Sequence, residues 1–260
     1  MSASATVISN PATLLQSGDP APYTIVNPGG RANAVLVCDH GGHAVPGALN
    51  GLGLDPALLE RHIAWDIGAA AVTRALVARL DAPALLAGYS RLTIDLNRPL
   101  DDLTSVREIS DGVVIPGNQG LSSAEIDARI AAIFDPYHDA VAAAIAARPG
   151  AALISVHSFT PAMKGVARPW HIGVLYNSDA RIAAPLLAAL ARDPALCIGN
   201  NKPYSGFDLF GKTIETHALP AGLPNVLLEF RQDLIDHDRG DEHWAGIVAA
   251  ALSPVLDGLS

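Results

Sequence analysis

Apolar residues in this chain fall into short unbroken runs separated by segments with helical spacing. AVLVC (34–38), APALLAGY (82–89), AALISVHSF (151–159), WHIGVLYN (170–177) and NVLLEFRQ (225–232) are such runs. Their length suits strands buried on both faces. Residues 55–80, 122–147, 178–193 and 212–222 carry apolar positions at helical intervals, and a last helix is predicted from about Asp241. Asp55 followed by Pro56 marks a helix start, and Asp66 and Gly68 divide that segment in two. Ser122 with Glu125 three residues on makes a capping box. SRLTIDLNRP (90–99) reads as extended, residues 101–122 as a long loop, and residues 1–33, broken by four prolines, as irregular. Strands alternating with helices predict one α/β domain over residues 1–260, with a largely parallel sheet wrapped by helices. Ligands of such sheets sit at the carboxyl ends of the strands.

Composition narrows the partners. The chain has 260 residues, 50% hydrophobic, with a formal charge of −9. That balance disfavours a phosphate-tracking nucleic-acid binder and favours small-molecule partners. No apolar run is long enough to span a bilayer. The N-terminus lacks the charged start and apolar core of a signal peptide. With only two cysteines, Cys38 and Cys197, a disulfide framework is not expected and a cytoplasmic location is.

Three polar clusters close predicted strands: Asp39-His40-x-x-His43, His157-Ser158 and Glu229-x-Arg231. Strand ends on one side of a parallel sheet can bring His40, His43 and His157 around one cation. Zinc accepts neutral imidazole and keeps a position open for water in catalytic sites. The same residues also fit a glycine turn with solvated histidines and a hydrogen-bonded core histidine at 157. Glu229 follows an apolar run and so needs a partner such as Arg231, a raised pKa, or work as a general base. Arg91, Arg98, Arg168 and Arg231 are candidate clamps for a substrate carboxylate, since a guanidinium donates two parallel hydrogen bonds; Arg98, beside Asn97, is the best placed. Asp66 is a candidate for orienting a ligand imidazole from behind. His217 and His171 are candidates for lining a pocket, while His138, among charged residues, reads as surface. There is no G-x-S-x-G, P-loop or G-x-G-x-x-G motif.

Taken together, LVCDHGGHAVP, RHIAWDIGAA, YSRLTIDLNRP, IPGNQGLS, ISVHSFTP, ARPWHIGVLYN, KPYSG and GLPNVLLEFRQDLI resemble the N-formylglutamate amidohydrolase family, from about residue 34 to 236, and more distantly the zinc carboxypeptidases. The resemblance implies a three-layer α/β/α sandwich with a mostly parallel mixed sheet. It implies zinc held near His40 and His157, Glu229 as base, and Asn97 with Arg98 reading a carboxylate. In the carboxypeptidases the second ligand is a glutamate, where this chain has His43; imidazole can serve instead. Asp39 is placed to orient His40. The activity expected is zinc-dependent hydrolysis of an N-acyl, chiefly N-formyl, derivative of a small acidic amino acid. A metal-dependent carboxypeptidase, another deacylase on the same site, and a metal- or ligand-binding protein without turnover stay open.

Overall fold

The computed structural model describes residues 14–207, 211–237 and 239–259. In chain order the strands are β1 (Tyr23–Val26), β2 (Ala34–Cys38), β3 (Ala84–Ala87), β4 (Ile109–Ser110), β5 (Val113–Val114), β6 (Ala152–Phe159), β7 (Ala162–Met163), β8 (Val166–Ala167), β9 (Ile172–Leu175), β10 (Ile198–Asn200) and β11 (Asn225–Arg231). The helices are α1 (Pro56–Leu59), α2 (Ala69–Leu80), α3 (Ser123–Arg129), α4 (Asp135–Ala146), α5 (Ala183–Leu190), α6 (Lys212–His217) and α7 (Gly240–Asp257). Seven strands form one sheet in the order β1-β3-β2-β6-β11-β9-β10. β3, β2, β6 and β11 run parallel, β1 and the β9–β10 pair oppose them, and β4–β5 and β7–β8 are small separate hairpins.

The central strands are apolar because both their faces are covered. Alternate residues of one strand enter different cores, as the two-residue period of a strand requires. Leu36, Ile154, Val156 and Leu228 pack with Val72 and Leu76 of α2, Leu186 of α5, and Val248 and Leu252 of α7. Val35, Val37, Leu153 and Leu227 pack with Tyr137 and Val141 of α4 and Ile214 of α6. The result is the expected three-layer arrangement with a mixed sheet. Among the described residues, no helix is long and apolar enough to cross a membrane.

Local signals act as read. The Asp55 side chain accepts from the Ala57 N–H at 2.9 Å and Pro56 opens α1. The predicted 55–80 helix divides, with α2 beginning after Gly68. The Ser122–Glu125 capping box is present. α3 then runs into α4 through a widened turn at Ile130–Phe134. That turn precedes Pro136, which has no N–H to continue the regular ladder.

Two expectations are corrected. The segment called irregular before residue 34 contributes β1, an edge strand; residues 1–13 of it lie outside the described residues. Residues 90–99 do not form a strand. They are a buried loop, with Leu92, Ile94 and Leu96 inside. The hydrogen bonds of this loop go to turns and side chains: Ser90 Oγ donates to Ala64 O, and Asp95 accepts from the Asn97 N–H.

Candidate metal and catalytic site

His40 leaves the carboxyl end of β2 in the turn His40-Gly41-Gly42. Gly42 is required there, because a Cβ would lie 2.3 Å from the Gly88 carbonyl oxygen. His157 stands near the end of β6, directly opposite Glu229 of β11 in the parallel register. Asp66 lies in the turn before α2, its N–H bonded to the His40 carbonyl at 2.9 Å. Thus the ends of β2, β6 and β11 and one α2 entry loop meet at a single point.

The two imidazoles are oriented the same way. His40 Nε2 lies 2.6 Å from Asp95 Oδ1, and His157 Nε2 lies 3.3 Å from Asp39 Oδ2. A carboxylate on Nε2 holds a proton there, so each ring would offer Nδ1 to a cation; in its absence His157 Nδ1 is hydrogen-bonded to Asp66. Both Nδ1 atoms face Asp66 Oδ2, at 3.4 Å from His40 and 2.8 Å from His157. One ligand atom from each of these three buried residues lies within 4.8 Å of the others. His40 Nδ1 has no hydrogen-bond partner although it is buried. A buried imidazole nitrogen without a hydrogen bond, beside a second imidazole and a carboxylate, fits a divalent cation.

A second ring of groups holds these carboxylates. Asp95 is fully buried and accepts from Arg91 at 2.9 Å and Arg107 at 3.2 Å. Arg91 also donates to Asp66 Oδ1 at 3.2 Å. Tyr137 and Thr213 donate to Asp39 Oδ1, and Ser155 donates to its Oδ2. Burial alone would raise these acids, but Arg91, His40 and Arg107 hold Asp95 well below the usual range. Burial is likewise outweighed at Asp39, which the His157 hydrogen bond brings down to about 2, and at Asp66, which His40 and His157 keep ionised. For His157, burial favours the neutral ring, yet its bonds to Asp39 and Asp66 raise it to about 10.

Glu229 is different. It lines the same cleft, is only 7% exposed, and its Oε2 has no hydrogen-bond partner. Burial pushes its carboxyl far above the ordinary range; the charge of His157 opposes this and that of Asp66 adds to it. A buried carboxyl that is poised to exchange a proton and faces a cavity is the profile of a general base. The cleft has a volume of about 620 Å³, a size that suits a small metabolite.

Not every residue expected here arrives. His43 stands apart from the other two histidines: it is partly exposed, packs on Trp65 at 4.7 Å between ring centres and lies 3.5 Å from Glu60. Its place beside the imidazoles is taken by Asp66, expected only to orient a ligand from behind. Asp39 backs His157 rather than His40. Asn97 and Arg98 line the cleft, with the Asn97 amide 3.4 Å from His157 Nε2. Arg231 does not pair with Glu229; it bonds Asp233 and the Arg168 and Pro169 carbonyls. His217 is turned to His138 at 2.9 Å, outside the cleft, and His138 is buried, not on the surface. His171 packs on Trp244 and also lies outside the cleft. Arg91, a candidate clamp, is spent on Asp66 and Asp95. Asp95 and Arg107 escaped the sequence reading; the Arg91-x-x-x-Asp95 spacing is their one visible trace.

The sequence model of the N-formylglutamate amidohydrolase family matches residues 32–236. The crystal structure of a gene product from Agrobacterium tumefaciens superposes with a TM-score of 0.90 at 34% identity, covering 94% of this chain and 98% of that one. The N-formylglutamate amidohydrolase of Ralstonia eutropha JMP134 superposes with a TM-score of 0.66 at 18% identity, covering 92% and 98%, a likeness of fold. No protein of curated function matches.

Proposed function

Because this chain belongs to the N-formylglutamate amidohydrolase family, we propose that it hydrolyses the N-formyl amide of a small acidic amino acid, N-formylglutamate foremost, with zinc held by His40, Asp66 and His157. The observation that carries this reading is the pair of orphaned buried atoms, His40 Nδ1 and Glu229 Oε2. One asks for a cation and the other for a proton, at the ends of nearby strands. When bound, the ion supplies Lewis acidity towards water and towards the amide carbonyl.

The chain's own residues do the rest. Glu229 takes a proton from the attacking water at a carboxylate oxygen and delivers it to the leaving nitrogen, so that formate and the free amino acid result. Asn97 and Arg98 hold the α-carboxylate and align the amide, so positioning meets part of the barrier. Among the described residues the Arg98 side chain forms no ion pair that would compete for this task. Asp95 and Asp39 keep the two rings turned with Nδ1 inward.

The direct test is metal analysis of the purified protein together with formate release from N-formyl-L-glutamate. One zinc per chain is expected, with turnover lost on chelation and restored by zinc. Stoichiometric metal with no turnover of any N-formyl amino acid would reject the reading.

The histidine chemistry adds a pH dependence. His157, raised to about 10, carries a proton in the metal-free protein at neutral pH, and the ion must displace it. Apparent zinc affinity should therefore rise with pH, about tenfold per unit between pH 6 and 9 for one released proton. Calorimetric titration across that range measures the slope, and buffers of different ionisation enthalpy count the protons released.

A further inference from the structure

Two arginines are buried outside the lining of the cleft, and neither pairs with a carboxylate among the described residues: Arg168 and Arg129. Arg168 donates to the Thr160 and Tyr204 hydroxyls and to the Met163 sulfur, and lies over the rings of Phe159 and Tyr204. Arg129, at the end of α3, is the deeper of the two at 1% exposed. Burial lowers its guanidinium to about 10, with the charge of Glu125 opposing, so it stays protonated at neutral pH. A buried cation without an anion is costly. Three oxygen acceptors offset that cost, and all three belong to segments that connect the sheet and the helices.

Arg129 Nη1 donates to the Thr93 carbonyl at 2.9 Å and to the Asn118 amide oxygen at 2.7 Å, and Nη2 donates to the Gly117 carbonyl at 2.9 Å. Asn118, 2% exposed, passes the grip on. Its Nδ2 donates to the Leu92 carbonyl at 2.9 Å and to the Arg107 carbonyl at 2.7 Å. Leu92 and Thr93 lie in the buried loop that no strand pairs with, where a backbone group left without a partner is unfavourable. One planar guanidinium fork and one amide thus tie residues 92–93, 107 and 117 together. These segments carry the groups that hold His40. Asp95 lies two residues beyond Thr93, donates its N–H to the Ser105 carbonyl at 2.7 Å, and sets Oδ1 2.6 Å from His40 Nε2. Arg107 meets the other Asp95 oxygen at 3.2 Å.

We propose that Arg129 and Asn118 are positioning residues for the candidate metal site: they fix the carbonyls of Leu92, Thr93 and Arg107, and so hold Asp95 against His40 Nε2 with Nδ1 turned inward. Neither residue lines the cleft; both act through Asp95. The proposal rests on the metal reading above for what this strut serves, but not for the strut itself. An apolar side chain at position 129 would fill the space, yet it would leave the Thr93 and Gly117 carbonyls unpaired and free the loop to carry Asp95 away from the ring.

The test compares Asn118→Ala and Arg129→Met with Asp95→Asn, singly and combined. In the metal-free protein the His40 Nε2 proton, held by Asp95, should give a slowly exchanging imidazole resonance in nitrogen-edited NMR. Asn118→Ala should lose that resonance to exchange with water while thermal melting still shows a folded protein. Zinc affinity, read by competition with a chelator, should fall about 10- to 100-fold, the usual effect of losing a partner one step removed from a ligand. Asp95→Asn should fall by a similar factor. The Asn118→Ala, Asp95→Asn double variant should fall no further, because the strut works through Asp95. Arg129→Lys keeps the charge without the fork and should recover part of the Arg129→Met loss; it carries the same measurements if the larger changes prevent folding. Leu186→Ala, in the core on the α5 side of the sheet, is the control, with stability lowered and the His40 resonance and zinc affinity kept. An unchanged His40 resonance in a folded strut variant, or additive losses in the double variant, overturns the proposal. Absence of zinc from the unsubstituted protein would reject the proposed function, while the His40 resonance still decides the strut. An unchanged resonance alongside zinc-dependent turnover would reject the strut and spare the function.

Discussion

Glu229→Gln is expected to lower kcat by about 10²- to 10⁴-fold, the contribution of general acid–base catalysis, and to leave one metal ion bound per chain. Gln keeps the shape that packs against Gly173, where an added Cβ would already lie 3.2 Å from the Glu229 Cβ. It also keeps a hydrogen-bonding oxygen, but it cannot accept and return a proton. Binding should change little, because Glu229 is not among the three clustered ligand atoms. The decisive measurement pairs turnover of N-formylglutamate with metal content on the same preparation. A Gln variant within tenfold of the parent enzyme would remove Glu229 from the reaction. A variant that has lost its metal would make it a ligand instead.

Asp66→Ala and His43→Ala should separate cleanly. The first removes the oxygen on which both Nδ1 atoms converge, and also an acceptor of Arg91 and of the Ser158 N–H. Stoichiometric zinc and activity should both disappear. The second trims a partly exposed ring on Trp65 and should retain one zinc per chain, with activity within a few-fold. Metal analysis after dialysis against a weak chelator reads both. Loss of zinc in His43→Ala with retention in Asp66→Ala would restore the H-x-x-H pair and discard the observed triad.

That contrast shows what the amino-acid order reveals and what it hides. The strands carrying His40, His157 and Glu229 are legible because each is an uninterrupted apolar run, and only a strand covered on both faces has such a composition. β1 and β10 are invisible to the same test. They are short, lie at the sheet edges and keep polar or half-exposed residues. In the 90–99 loop the alternation of Leu92, Ile94 and Leu96 imitates a strand, since those side chains are buried in a loop that no neighbouring strand pairs with. His138 looks exposed among its charged neighbours, yet the Leu96 carbonyl and His217 satisfy both ring nitrogens and allow burial. Asp66 is hardest to find. A candidate metal ligand on a turn has no periodic signature, and its distance from His157 in sequence is bridged only by the fold. The short H-x-x-H spacing draws attention precisely because it is local.

The pairing of His157 with Glu229 across β6 and β11 has a bearing on how the site tolerates change. Neighbouring strands keep a spacing of about 4.8 Å whatever their side chains, so the sheet itself works as a ruler for these two side chains. Surface loops around the cleft can lengthen, shorten or move without disturbing that separation. A slip of one residue between the two strands would instead turn one of the pair to the opposite layer. Diversification of substrate in proteins built this way should therefore be written in the rim, and almost never in the ladder.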